Sequence, residues 1–118
     1  MIGLDRLMKQ KGVIAVGQFS EDGKIIRKAG DISENIMEQI AKKCAYHNQK
    51  AEELTKYFSA NSEMDWTPLV GWAVLGGNYA IFIMDNTGII VDSRKADLNQ
   101  LVIDLRESGP TGPRPRNY

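Results

Sequence analysis

With 118 residues, 42% of them hydrophobic and 25% charged, the chain fits one soluble domain that buries about two-thirds of its unfolded surface without disulfides or metals. Fifteen basic residues balance fifteen acidic ones, so charge recommends neither nucleic acid nor an anionic membrane as partner and does little to hold copies apart. One cysteine excludes an internal disulfide, the charged start MIGLDRLMKQKG has no signal-peptide core, and no apolar run approaches a membrane span; a cytoplasmic location is expected.

Ile2, Leu4, Leu7 and Met8 space a short amphipathic helix that Gly12 ends. The β-branched stretch VIAVGQF, Val13 to Phe19, reads as a strand. Ser20-Glu21-Asp22-Gly23 is a turn in which Gly23 takes a left-handed conformation, and Lys24 to Lys28 is the returning strand. Asp31 then caps a helix, with Glu34 at capping-box spacing. Helical periodicity runs to about Ser62. Ile36, Met37, Ile40, Ala41, Cys44, His47, Asn48, Ala51, Leu54, Thr55 and Phe58 share one face, and Glu38, Lys42, Lys43, Lys50, Glu53 and Lys56 the other.

Pro68 breaks any continuation of that helix. Three strands follow, Leu69 to Leu75, Asn78 to Asp85 and Ile89 to Asp92, separated by Gly76-Gly77 and by Asn86-Thr87-Gly88. The middle one is apolar on both alternating faces, as a strand covered on each side would be. Asp97 caps a last helix whose Leu98, Leu101, Val102 and Leu105 make a sheet-docking stripe. The proline- and glycine-rich tail, 108–118, is expected to be disordered, which leaves residues 1–107 as the domain. Hairpins force antiparallel pairing and apolar helix faces need a sheet, so the order α-β-β-α-β-β-β-α implies a layered α+β protein.

Gly71 and Gly76 have the spacing G-x-x-x-x-G, but a phosphate loop also needs a lysine and a helix that starts within it. Here the most strand-like segment of the chain follows, so Gly76-Gly77-Asn78 reads as a hairpin turn. Cys44 and His47 are three residues apart on the long helix. Two such helices paired about a dyad would offer zinc two Cys and two His; the plainer reading makes Cys44 a core filler and His47 a polar group bonded to a neighbour. No metal or cofactor is expected. With one histidine, no nucleophile elbow, and Asp65, Asp85 and Asp92 in or beside turns, neither is catalysis.

The middle of the helix face is small and mixed in polarity, which suits the close approach of a second helix; alternatively His47 and Asn48 lie at the stripe's margin in water. Trp66 and Trp72 suit an interface or the domain's own core equally. Were their strand at a sheet edge, the same strand of a second copy would cover its open N–H and C=O groups.

KGVIAVGQFSEDGKII, residues 11 to 26, resembles the opening of roadblock-type domains, whose first strands carry a glycine-valine pattern and an aspartate-glycine hairpin. The later elements match that family in order and length over residues 2 to 107. MDWTPLVGWAVLGGNYAIFIMDNTGIIVDSRKADLNQL, residues 64 to 101, is similar to a small uncharacterised bacterial and archaeal family of single-domain proteins within the same superfamily. The resemblance implies a five-stranded antiparallel sheet in the order 2-1-5-4-3 with helices on its faces. It also implies a homodimer in which third strands pair and long helices pack. Trp66, Thr67, Leu69, Gly71 and Ala73, with Cys44, His47, Asn48 and Ala51, would form its surface. The implied role is a non-catalytic adaptor whose further partner is a small Ras-like GTPase or another protein. The short first helix and the tryptophan-rich third strand depart from eukaryotic members. The alternative is a ligand-sensing domain with Tyr57, Phe58, Trp66 and Trp72 around a pocket between helix and sheet.

Overall fold

In the computed structural model, which describes residues 4–108, the elements run α1 (Leu4–Met8), β1 (Val13–Phe19), β2 (Ile25–Gly30), α2 (Glu34–Asn61), β3 (Gly71–Leu75), β4 (Tyr79–Met84), β5 (Thr87–Asp92) and α3 (Leu98–Ser108). The strands form one antiparallel sheet in the order β2-β1-β5-β4-β3, so the expected α+β architecture and strand order are both present. Residues 109–118, where a disordered tail is expected, lie outside the described residues, as does Ile2; Ser108 still belongs to α3.

Each face of the sheet has its own core. On one, Leu4 and Leu7 of α1 and Leu101 and Leu105 of α3 pack on Val16, Phe82, Ile89 and Val91. On the other, Ala41, Cys44 and Ala45 of α2 pack on Phe19 and Ile83. Full burial of a Leu or Ile side chain contributes about 1.5–3 kcal/mol, so the first core, with several at or near zero exposure, is the stronger clamp. α2 contributes mainly alanines, which let its backbone lie close to the sheet.

Local chemistry moves several boundaries. Ser33, not Asp31, caps α2: its backbone is extended and its hydroxyl accepts the Ile36 N–H at 3.3 Å, a reach that Asp31, two residues earlier, does not have. β2 extends two residues past Lys28, to Gly30. The β4–β5 hairpin turns on Asp85 and Asn86, with Met84 and Thr87 paired across it, rather than on Asn86-Thr87-Gly88. Asp85 takes φ +55°, a left-handed conformation that aspartate tolerates. Thr87 is thereby fully buried in β5, where its hydroxyl accepts from Gln18 Nε2 at 3.4 Å. Gly76 closes the β3–β4 turn, donating its N–H to the Tyr79 carbonyl at 2.8 Å. That is a hairpin and not a phosphate cradle. No helix among the described residues is long and apolar enough to cross a membrane.

Candidate functional site: the β3 edge and the long helix

The two edges of the sheet differ in kind. β2 carries Arg27 and Lys28, and its pairing with β1 is irregular between Gln18 and Phe19. Charge and irregularity both discourage the addition of another strand. β3 reads GWAVL, with no charge at all, and Val74 and Leu75 are 56% and 65% exposed. It is the undefended edge.

Pairing with β4 fixes which way β3 side chains face. Trp72 and Val74 stand opposite Ile83 and Ile81, on the side covered by α2. Gly71, Ala73 and Leu75 stand opposite Met84, Phe82 and Ala80, on the side of α1 and α3. The expected interface set takes Gly71 and Ala73 together with α2 residues, and the period of two separates them. Trp72 and Val74, absent from that set, are the β3 residues beside α2. Gly71 has a further reason within the protomer: a Cβ there would lie 2.9 Å from Met84 Sδ and closer still to the Ile83 carbonyl.

α2 is longer than the core it serves. At 1.5 Å per residue its 28 residues span about 42 Å, yet its buried residues, Met37, Ala41, Cys44 and Ala45, all lie in the first half. Ala51 and Thr55 are half-buried, and Leu54, Tyr57 and Phe58 are exposed. The chain then folds back on itself. Ser59 Oγ accepts the Trp66 N–H at 2.7 Å, Ser62 Oγ donates to the Phe58 carbonyl at 2.7 Å, and the Phe58 and Trp66 rings tilt together 5.3 Å apart. Asp65 accepts from Thr67 N–H and Oγ1 at 3.0 and 2.8 Å, bonds that hold its carboxyl below the usual range. Trp66 and Thr67 thus belong to this turn and Leu69 to the segment after it, not to the third strand.

Between α2 and the β3–β4 pair runs a groove of about 350 Å³, lined by Ile40, Lys43, Cys44, His47, Trp72, Val74 and Ile81 among others. Cys44 forms its floor, 5% exposed, and burial pushes its thiol up to about 11. A protonated thiol in an apolar core is neither a ready nucleophile nor a ready zinc ligand. His47 is on the rim, exposed, edge-on to Tyr46 at 5.1 Å and to Trp72 at 6.1 Å. Asn48 is spent inside the protomer: its amide donates to the Asp85 carbonyl at 3.0 Å and its oxygen accepts the Trp72 indole N–H. The Cys44–His47 pair therefore splits into a core residue and a surface residue. Among the described residues no three His, Cys, Asp or Glu side chains gather as a metal site.

Asp92 is turned toward Arg94, whose guanidinium forks onto it at 3.0 and 2.9 Å and holds its carboxyl at about 2. The carboxylates singled out in the sequence are turn formers and ion-pair partners. The four aromatics of the sensing alternative divide likewise: Trp72 walls the groove, while Tyr57, Phe58 and Trp66 form a separate exposed cluster.

Comparisons with known proteins agree with this architecture. The profile of a family described as an uncharacterized conserved protein, DUF2173, matches residues 3–107. No curated protein matches the chain in sequence. A Roadblock/LC7 domain from Streptomyces avermitilis superposes with a TM-score of 0.73 at 14% identity, over 86% of this chain and 84% of that one. Myxococcus xanthus MglB gives 0.68 at 16% identity, over 88% and 85%. A structure described as MglB with tetrameric arrangement gives 0.71 at 10% identity, over 85% and 74%. Identities this low speak for the fold, which is the roadblock fold.

Proposed function

The chain belongs to this family of uncharacterized conserved proteins and has the roadblock fold, and from that premise we propose that it is a non-catalytic homodimeric adaptor or regulatory module. The observation that carries the reading is the pairing of an uncharged, exposed edge strand, β3, with a long helix whose second half has no fully buried residue. Two copies joined through β3 would continue one sheet across a dyad, satisfying the open N–H and C=O groups of both edges. The adjoining α2 helices would cover Leu54, Phe58, Trp72 and Val74. The tetrameric arrangement described for MglB supports self-association within this fold.

The adaptor role and its further partner, a small Ras-like GTPase or another protein, rest on the resemblance of residues 11–26 and of the element order to roadblock domains. A cytoplasmic setting belongs to the same reading. Sedimentation equilibrium of the full chain tests the oligomer: a dimer is expected, and a monomer throughout the micromolar range sinks the proposal. Capture from the native cell with the tagged chain then tests the partner. A stoichiometric nucleotide-binding protein is expected; recovery of the chain alone would remove the GTPase arm.

A further inference from the structure

The end of α2 and the turn after it carry an aromatic surface that the proposed dimer does not account for. The Tyr57 and Phe58 rings meet edge to face at 6.2 Å, and the Phe58 and Trp66 rings tilt together at 5.3 Å, so the three form a row. Phe58 also belongs to the surface assigned to the second copy. Tyr57, Met64 and Trp66 do not, and they are 62%, 61% and 46% exposed. A contiguous apolar patch left open in this way is the mark of a docking face. The charge around it is one-sided. α2 has no basic residue in its last turn, so no side chain there offsets the negative end of the helix dipole. Lys56 lies more than a turn before that end, whereas Glu63 and Asp65 follow it directly. Glu63 takes part in no ion pair among the described residues.

An occupant that uses both features has flat apolar groups for the rings and cations for the negative helix end. The chain itself holds such a segment. Residues 109–118, GPTGPRPRNY, follow α3 and contain three prolines, two arginines and no acidic residue. Prolines lie against aromatic rings at low entropic cost because their φ is already fixed. Arginines stack on tryptophan and tyrosine faces and fork onto carboxylates. α3 packs over β4, the neighbour of β3, and ten extended residues reach up to about 33 Å, enough to pass the Gly71 end of β3. We propose that segment 109–118 docks on the Tyr57–Phe58–Trp66 row, its prolines against the rings and Arg114 and Arg116 against Glu63 and Asp65. The tether holds the segment at an effective concentration on the order of millimolar, so modest contacts suffice. An outside partner reaches the row only by displacing the tail.

NMR of the full chain with a nitroxide on Asn117→Cys tests this, mass spectrometry confirming a single label. The Trp66 indole and the Tyr57 and Met64 amides should lose intensity through proximity to the label. The Trp72 indole, bonded to Asn48 beside the groove, should lose less and serves as the internal control. Arg114→Glu and Arg116→Glu together should restore the lost intensity. Glu63→Lys should do so from the other side of the contact; Glu63 is exposed, so circular dichroism should show the fold unchanged. Mixing spin-labelled chains with isotope-labelled chains that carry no nitroxide tells which copy is covered. Loss in the chains without nitroxide assigns the docking to a neighbouring copy, and loss confined to chains that carry it assigns the docking to the same chain. No loss at the row, equal loss at Trp72 and Trp66, or loss undiminished by the double charge reversal overturns the inference. A monomeric chain can still show its own tail on the row, so failure of the dimer and failure of this contact are read separately.

Discussion

Trp72 on β3 donates its indole N–H to the side-chain oxygen of Asn48 on α2, and the same amide donates to the Asp85 carbonyl in the β4–β5 turn at 3.0 Å. One side chain thus ties the long helix to the edge strand and to the hairpin beside it. It also sets the attitude of the Trp72 ring, which forms one wall of the groove with His47 edge-on to it. The shape of the open edge is therefore decided within the protomer, before any second copy arrives.

Removing that amide should be costly. Asn48→Ala removes the acceptor of the Trp72 N–H and one donor to the Asp85 carbonyl, a loss of about 1–3 kcal/mol. In a domain of this size each kcal/mol lowers the melting temperature by roughly 4–8 °C. Asn48→Asp keeps an acceptor for Trp72 but sets a carboxylate oxygen against the Asp85 carbonyl, so its loss should be at least as large while the Trp72 ring stays held. Thermal unfolding orders the three proteins, and near-ultraviolet circular dichroism should show the Trp72 signal weakened most in the alanine variant.

Gly71 and Gly77 should respond in opposite ways to the same methyl group. At Gly71 a Cβ meets the backbone of β4 and Met84 Sδ, so Gly71→Ala must push the edge strand outward, at about 1–3 kcal/mol. At Gly77 nothing lies within 4 Å, and Gly77→Ala should stay within about 0.5 kcal/mol of the parent. Denaturant titration of both variants reads the contrast. Equal effects would mean that β3 is not held against β4 as described.

How much of this was legible beforehand follows from where periodicity is strong. α2 repeats its apolar stripe for many turns, and β1 sits between two neighbours, so β1 was readable at both ends and α2 to within two residues at its start and one at its end. The Asp97 cap was equally plain, since its carboxyl accepts the Gln100 N–H at 3.1 Å. The β4–β5 turn was not, because Thr87 and Gly88 look like turn residues and only pairing with β1 and β4 places them in a strand. The candidate site suffered most. Leu69 read as the start of the third strand and the resemblance set Trp66 and Thr67 on its surface, yet side-chain bonds from Ser59 and Asp65 fold those two into a turn and the strand starts at Gly71. Which β3 residues face α2 depends on register with β4, a non-local fact that the five residues of β3 do not encode.

Cys44 gives a pH test. Its thiol is raised from 9.0 to about 11 by burial, so the unfolded chain loses this proton at lower pH than the folded one. The contribution is fully present below pH 9 and is lost as pH rises toward 11. The denaturant midpoint of the native protein should therefore fall across that window more steeply than that of Cys44→Ala. A thiol reagent at pH 8 should label the unfolded chain and spare the folded one. Prompt labelling of the folded protein would mean that Cys44 is not beneath the helix.

The edge strand offers the sharpest separation of stability from assembly. Val74 is 56% exposed in the protomer, faces the α2 side and has no charged residue on its own strand, so Val74→Lys should leave monomer stability within about 0.5 kcal/mol. In a dimer joined through β3 the same lysine would be driven into the seam beside its twin. The dissociation constant should then rise by about tenfold or more, the equivalent of ~1.4 kcal/mol. Ala51→Arg, half-buried on α2, tests the helical part of the surface in the same way. Arg27→Ala on the opposite edge should change nothing, because β2 has no part in the proposed seam. Sedimentation of the three variants distinguishes the edges. If Arg27→Ala alone shifts the assembly, the copies meet at β2, and the argument from undefended edges fails.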